Sequence, residues 1–270
     1  MFPGPKSDRR MGTCSYGMKV WIGTCGNRVA LARYVKLFSA LEINATFYRF
    51  PTEKSLKNWE KVFRKTEGFL LSLKAFQGFT HPTSSPTWRR SGLSREEISA
   101  LKDQVGCLRL TERTREYLRE TLTLCRRLSA GYLLFQLPGK CQGKDLAPFF
   151  EEWRKLVPEG PPYPALEIRW EDPDLLLHLW QTYRVVPAFD PLLFPGFLSV
   201  LRALPRLYFR LHGERRGGRI HYGKRYSDEE LLELSELVRS LRCEEVCVFF
   251  NNIYMHEDAL RFLEIWKGGR

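Results

Sequence analysis

The side chains most able to do chemistry in this chain sit in or beside short apolar runs: Glu42, Glu167 and Asp190; Lys74, Arg169 and Arg210; and His212. The clearest instance is Arg206–Gly213, RLYFRLHG. Read as a strand, it puts Leu207, Phe209 and Leu211 on one face and Tyr208, Arg210 and His212 on the other. Helical patterns flank it on both sides, which implies a parallel sheet covered on both faces. An arginine and a histidine inside such a sheet need an interior polar place, and the centre of a closed barrel near its carboxyl rim is one.

Three carboxylates and three cations can neutralise one another. Unpaired, each would carry a desolvation cost of several kcal/mol, so pairing is expected in the resting protein. A buried ion-pair network without chemistry is the plain reading of that set. Against it stands the company kept near the strand ends, where general acids and bases, a titratable histidine and amide donors occur together. His212, whose unperturbed pKa is about 6.5, is the candidate for proton transfer. Glu42 and Glu167 could serve as base, acid or orienting carboxylate, which makes His212, Glu42 and Glu167 the expected catalytic set. Lys74, Arg169 and Arg210 suit an anionic group, and Asn251 with Asn252 suits amide hydrogen bonds. His81 falls where a strand becomes a loop, as a rim or a turn residue. Tyr222 and Tyr226 could stack on a ring or base, or simply pack a lid.

A carboxylate-rich site for a divalent ion, made by Glu42, Glu167, Asp190 and His212, is an alternative. With one histidine and three nearby cations, the expectation is no metal. No cofactor fingerprint is present: GxGxxG after a strand, GxxxxGK[ST], GxSxG and HExxH are all missing. Cys25 ends a strand with nothing local to activate it, and is read as packing.

The elements that would hold these residues alternate. Strands are predicted over 19–26, 41–50, 69–76, 131–138, 164–170, 185–191, 206–213 and 244–252. Helical spacing follows over 29–40, 52–67, 112–129, 145–157, 173–184, 194–203, 228–241 and 256–266. Ser227 with Glu230 three residues on forms a capping box. Residues 82–112 break the rhythm and read as an irregular, lid-like insertion after strand three. Residues 214–225 read as a Gly/Arg-rich loop. Eight strands, each followed by a helix, make a single (β/α)8 TIM-barrel-like α/β domain over 18–270. An open doubly wound sheet would have no room for Glu42, Asn44, Lys74, Gln136, Glu167, Arg169, Asp190, Arg210, His212 and Asn251 on its buried side.

Composition sets the outer limits. With 270 residues and 43% hydrophobic content, one large domain can bury its own core. No apolar run is long enough for a membrane span. The opening residues, 1–17, are basic without an apolar segment, so they read as a disordered tail rather than a secretion signal. Seven scattered cysteines without CxxC spacing argue against a zinc module or a disulfide framework, and point to the reducing cytoplasm. The net charge is +12, with 29 arginines among the 43 basic residues. Guanidinium forks suit phosphate, hence nucleic acid or another polyanion; arginine favoured on solvated surfaces by a thermophile or GC-rich genome is the competing explanation.

Several ordered motifs resemble one family. They are Leu41–Phe50 with Glu42, Asn44 and Phe47–Tyr48; Ser72–Lys74 with Thr80–His81; Gln136–Leu137–Pro138; Glu167–Ile168–Arg169; Phe209–Gly213; Tyr222 with Tyr226–Ser227; and Phe250–Asn252. Together they are similar to the YecE-like family, domain of unknown function 72, from about Lys19 to Trp266. The resemblance implies a TIM-barrel-like fold and a site but no reaction. Some members have been suggested to resemble the barrel-shaped apurinic endonucleases and to bind DNA. Gly23–Asn27, the segment after Arg169 and the helix around Ala259 depart from the family pattern, and with them the first-loop and last-helix parts of a site.

The expected substrate-binding residues are Asn44, Tyr48, Lys74, His81, Gln136 and Arg169, with Asp190, Arg210, Tyr222, Tyr226, Asn251 and Asn252. The expected function is acid/base catalysis on a phosphate-bearing substrate, with nucleic acid first and a hydrolase or repair-like activity. A nucleic-acid-binding protein without catalysis, or an isomerase or lyase of a small phosphorylated metabolite, would use the same pocket.

Overall fold

The structure is a computed structural model that describes residues 12–13 and 17–268. The expected tail, 1–17, lies outside the described residues except for Gly17 and a two-residue strand, β1 (Gly12–Thr13), which pairs antiparallel with the next strand.

Eight parallel strands close into a barrel: β2 (Lys19–Cys25), β3 (Ala40–Ile43), β4 (Leu70–Lys74), β5 (Tyr132–Leu137), β6 (Tyr163–Ile168), β7 (Val186–Phe189), β8 (Arg206–Leu211) and β11 (Glu245–Phe250). They pair in chain order, and β2 pairs with both β11 and β3, so no edge is left open. An antiparallel hairpin, β9 (Glu214–Arg216) with β10 (Arg219–His221), stands after β8 where a plain loop was expected.

The period-two pattern of the strands sorts residues between two cores. Leu207, Phe209 and Leu211 face outward into the large cluster under the helices, whereas Tyr208 joins Trp21, Ala40, Leu134, Ala188, Cys247 and Phe249 inside the barrel. Space inside is tight enough to dictate a glycine. A Cβ on Gly23 would lie 2.0 Å from the Ala40 carbonyl oxygen, so the β2–β3 approach requires its absence.

Helices return the chain to each next strand, and their starts are written in short polar side chains. Thr52 accepts from Ser55 N at the head of Glu53–Phe63, Asp172 from Leu175 N at Pro173–Tyr183, and Ser227 shares the expected capping box with Glu230 at Asp228–Ser240. Such caps contribute about 1 kcal/mol each.

Two departures bear on the site. The second strand ends at Ile43 rather than running to Phe50, and a helical turn, Ala45–Tyr48, follows. That turn lifts Phe47 and Tyr48 over the barrel mouth. The insertion, 82–112, is partly ordered into Pro86–Arg90 and the capped helix Arg95–Ala100. Cys107 in it forms a disulfide with Cys141, just beyond β5. The expectation of unpaired cysteines is therefore corrected at these two: they are 34 residues apart in sequence, a spacing that carries no pairing signal. Among the described residues no helix is long and apolar enough to cross a membrane.

Candidate functional site

Strand register gathers the polar residues at the carboxyl end of the barrel. Glu42 on β3 stands beside Cys25 and Ser72, Gln136 on β5 beside Glu167 on β6, and Arg210 on β8 beside Phe249. Arg210 is fully buried at their centre. Its Nε and Nη2 donate to the two oxygens of Glu42 at 3.0 and 2.8 Å, and its Nη1 donates to Glu167 Oε2. The second oxygen of Glu167 takes Arg169 Nη2 at 2.8 Å. Tyr208 Oη adds a bond to Glu42 Oε2 at 2.8 Å and one to Ser72 Oγ at 2.8 Å.

This network sets its own charge states. Burial would raise the Glu167 carboxyl, but the Arg169 and Arg210 guanidiniums overcome it and hold the group well below the usual carboxylate range. Burial likewise opposes the charge on Arg210, and Glu42 and Glu167 more than restore it. Glu42 and Glu167 are thus engaged by guanidinium, and among the described residues no group of three or more His, Cys, Asp or Glu is arranged to hold a metal.

His212 lies directly above, 1% exposed. Its Nε2 is 3.2 Å from Arg169 Nη2 and 3.3 Å from Arg210 Nη1, two groups that can only donate, against one acceptor, Glu167 Oε1, at 3.4 Å; on that balance we assign Nε2 as the lone-pair nitrogen. The proton then sits on Nδ1, which points toward Asp190 Oδ2 at 3.5 Å without completing a hydrogen bond. Burial depresses the pKa of His212, assisted by Arg169 and Arg210 against Glu167 and Asp190, so the ring is held neutral. Asp190 is engaged by backbone: Leu192 N, Leu193 N and His212 N donate to it at 3.0, 3.2 and 2.7 Å. It fixes the end of β8 to the loop after β7. Gly213, at φ +108°, then turns the chain into the hairpin; a side chain there would strike the His221 carbonyl oxygen at 2.6 Å.

Over this floor opens a cavity of about 370 Å³, lined by Asn44, Phe47, Tyr48, Lys74, His81, Thr87, Gln136, Tyr222 and Asn251. Lys74 Nζ donates to Gln136 Oε1 at 3.0 Å and lies 4.2 Å from the centre of the Phe47 ring. Among the described residues it has no carboxylate at ion-pair distance. Burial, and then the charge of Arg210, lower its pKa to about 8. His81 is pushed down to about 3, by burial first and then by the charges of Lys74, Lys140 and Arg169, so it too is neutral. Its Nδ1 is 2.8 Å from Thr80 Oγ1. Tyr48 is held from the insertion, where Arg90 donates to its hydroxyl at 2.7 Å and stacks 3.8 Å from its ring centre. Tyr222 is exposed at the rim, with Arg169 Nη2 3.4 Å from its hydroxyl.

Of the residues singled out by sequence, Asn44, Tyr48, Lys74, His81, Gln136, Tyr222 and Asn251 line the cavity. Glu42, Glu167, Arg210 and His212 form its buried floor, with Arg169 and Asp190 at the margins. Two lie apart from the cavity lining. Tyr226 is buried beneath the loop, accepting Gly213 N at 2.7 Å, and Asn252 donates to the Lys224 carbonyl and to Asp258. Sequence reasoning passed over Phe47, Thr87 and Ser72. Phe47 and Ser72 stood in motifs without being given a role, whereas Thr87 reaches the site only through the course of the insertion. Tyr208 was seen on the Arg210 face without a role.

A closed (β/α)8 barrel with a polar carboxyl-end cavity defines the class of protein. Its family is also shown: the model described as "Protein of unknown function DUF72" matches residues 10–267, and the chain belongs to that family. Two crystal structures of a DUF72 protein from Enterococcus faecalis V583 are similar to it. One has 19% identity and a TM-score of 0.64, covering 92% of this chain and 95% of that one; the other has 20% and 0.63, covering 93% and 98%. Endonuclease IV from Thermus thermophilus shares the fold at 12% identity and a TM-score of 0.51, over 93% of this chain and 99% of that one. Among curated proteins, none matches the sequence.

Proposed function

We propose that the mouth cavity binds a phosphate-bearing ligand, with nucleic acid as the first candidate, and acts on it by acid/base chemistry. The observation that carries this reading is the state of Lys74. Arg210 and Arg169 are neutralised by Glu42 and Glu167, which leaves the Lys74 ammonium as a cation facing the cavity without an ion-pair partner among the described residues. An anion there would gain a charge-assisted hydrogen bond without first breaking a salt bridge. Asn44, Gln136 and Asn251 offer amides beside it, and Phe47, Tyr48 and Tyr222 offer ring faces.

His212 is the proton carrier in this reading. Its Nε2 lone pair is occupied in the resting state by Arg169 and Arg210. A ligand anion that draws Arg169 toward itself frees one side of Nε2, which can then accept a proton. Arg169 is partly exposed and already reaches Tyr222 at the rim, so it is the member of the floor with room to move. The test is cleavage of single-stranded, duplex and abasic-site oligonucleotides by the purified protein. Turnover that disappears in a folded His212→Ala variant supports the assignment; full activity in that variant refutes it.

Binding without catalysis has its own supporting observation. Arg215, Arg216, Arg219 and Arg225 are exposed on and beside the β9–β10 hairpin, with Tyr222 exposed among them and Tyr254 exposed next to Ile253, whose N–H donates to the Tyr222 carbonyl at 2.7 Å. Cations interleaved with aromatic faces suit a polynucleotide strand. Endonuclease IV, which has the same barrel, is by its name a nuclease, though the likeness extends to fold alone. Nucleic-acid affinity that falls steeply with salt, in a protein that cleaves nothing, would favour this reading. We read the chain as cytoplasmic. Cys25, Cys125 and Cys247, free and buried, suit a reducing compartment, and the Cys107–Cys141 pair is the observation that bears against it.

A further inference from the structure

The lining of the mouth cavity includes one amine, and its surroundings differ from those of a surface lysine. Lys74 leaves the end of β4 half-buried, with a neutral amide as its hydrogen-bond partner and an aromatic face beneath its Nζ. The charged groups that face it are Glu42 from β3, Glu167 from β6, Arg169 just past that strand and Arg210 from β8, and the neutral His81 stands after β4. Both carboxylates are engaged by guanidinium, so neither holds the ammonium in its charged form by direct pairing. A desolvated amine beside other cations gives up its proton readily and is nucleophilic in the free form.

We propose that Lys74 condenses with the carbonyl carbon of a small phosphate-bearing aldehyde or ketone to form an imine. The phosphate part of this statement rests on the reading above; the amine chemistry does not. In the step, the Nζ lone pair forms a C–N bond to the carbonyl carbon. The carbonyl oxygen gains the two hydrogens carried by the amine nitrogen and leaves as water, and nothing is oxidised or reduced. Tyr48 suits the transfer to oxygen, since its hydroxyl accepts from Arg90 and keeps its own proton to donate. His81, also in the lining, is neutral and adds no further positive charge beside the amine. The ammonium of Lys74 holds an anion at lower pH, and the free amine, available as pH rises through about 8, is what condenses.

The experiment is reductive trapping. The protein is incubated with glycolaldehyde phosphate or with plain glycolaldehyde, each with cyanoborohydride, and adducts are located by peptide mass mapping. Lys74 should be labelled about ten- to a hundredfold faster than exposed lysines such as Lys144 and Lys267, because far more of it is free base at neutral pH than of a lysine titrating near 10.4. The rate should climb between pH 6 and 9, and the fast adduct should vanish in Lys74→Arg. Labelling of Lys74 no faster than of Lys144 in the unmodified protein overturns the proposal, whether or not the variant folds. Faster trapping by the phosphorylated aldehyde supports both this proposal and the phosphate reading. Equal trapping by the two aldehydes keeps the lysine chemistry and counts against the phosphate reading.

Discussion

Replacing Arg210 by Met tests whether the barrel floor is held by charge. Arg210 is fully buried and makes three hydrogen bonds to Glu42 and Glu167, with its Nη1 also 3.3 Å from His212 Nε2. Methionine fills much of the side-chain volume but leaves Glu42 without its guanidinium and Glu167 with Arg169 alone. Removing one member of a buried ion pair costs about 3–5 kcal/mol, and for a chain of this size that corresponds to a fall of roughly 6–20 °C in midpoint. The loss has a pH signature with a definite sign. The depressed Glu167 pKa makes that group stabilising above the unfolded carboxylate pKa, an advantage lost as pH falls toward the folded value. Without Arg210 this carboxylate titrates upward, so the gap between wild type and variant should be largest near neutrality and shrink below about pH 4. Urea unfolding followed by circular dichroism at pH 7 and at about pH 3 measures both. The variant Glu42→Gln/Glu167→Gln/Arg210→Met, which removes the stranded charges, should be more stable at pH 7 than Arg210→Met alone. A loss under about 1 kcal/mol for the single variant, or a triple variant that is weaker still, would refute the reasoning.

Further outcomes follow from the same geometry. Binding of inorganic phosphate, followed by calorimetry, should weaken as pH rises through about 8, because Lys74 loses the charge that receives the anion, and Lys74→Met should abolish the pH step. Thiol titration of the denatured protein should find at least two more reactive cysteines after reduction than before it, Cys107 and Cys141 among them, and no difference would remove the link between insertion and barrel.

Much of this fold was legible because each barrel strand carries a one-residue alternation that separates the helix layer from the interior. In β8 the sorting of Leu207, Phe209 and Leu211 from Tyr208 and Arg210 is what the structure has, and the same register brings Glu42 and Glu167 to Arg210. Beyond the last ladder bond alternation carries one residue further, to His212 and Asn44, and then fails. Asn44 sits one residue past β3, and Tyr48 reaches the cavity through a helical turn that period two does not describe. The β9–β10 hairpin did have a sequence signal, since Gly217–Gly218 joins two three-residue strands, but its strands are arginine-rich and lack the apolar alternation that usually marks one. Tyr226 and Asn252 illustrate the opposite difficulty. Asn252 lies just past β11 and Tyr226 at the end of the loop after β8, and both use polar atoms to hold that loop, through Asp258 and Gly213. Residue type alone does not distinguish a group that faces a ligand from one that replaces water beneath a loop.

The most direct measurement is a crystal structure of the protein grown with a nucleoside 5′-monophosphate. Phosphate density within hydrogen-bonding distance of Lys74 Nζ, with the base against Phe47, Tyr48 or Tyr222, is the expected result. A nucleotide bound away from the barrel mouth, or a phosphate held on the β9–β10 hairpin with Lys74 still joined only to Gln136, would contradict the account.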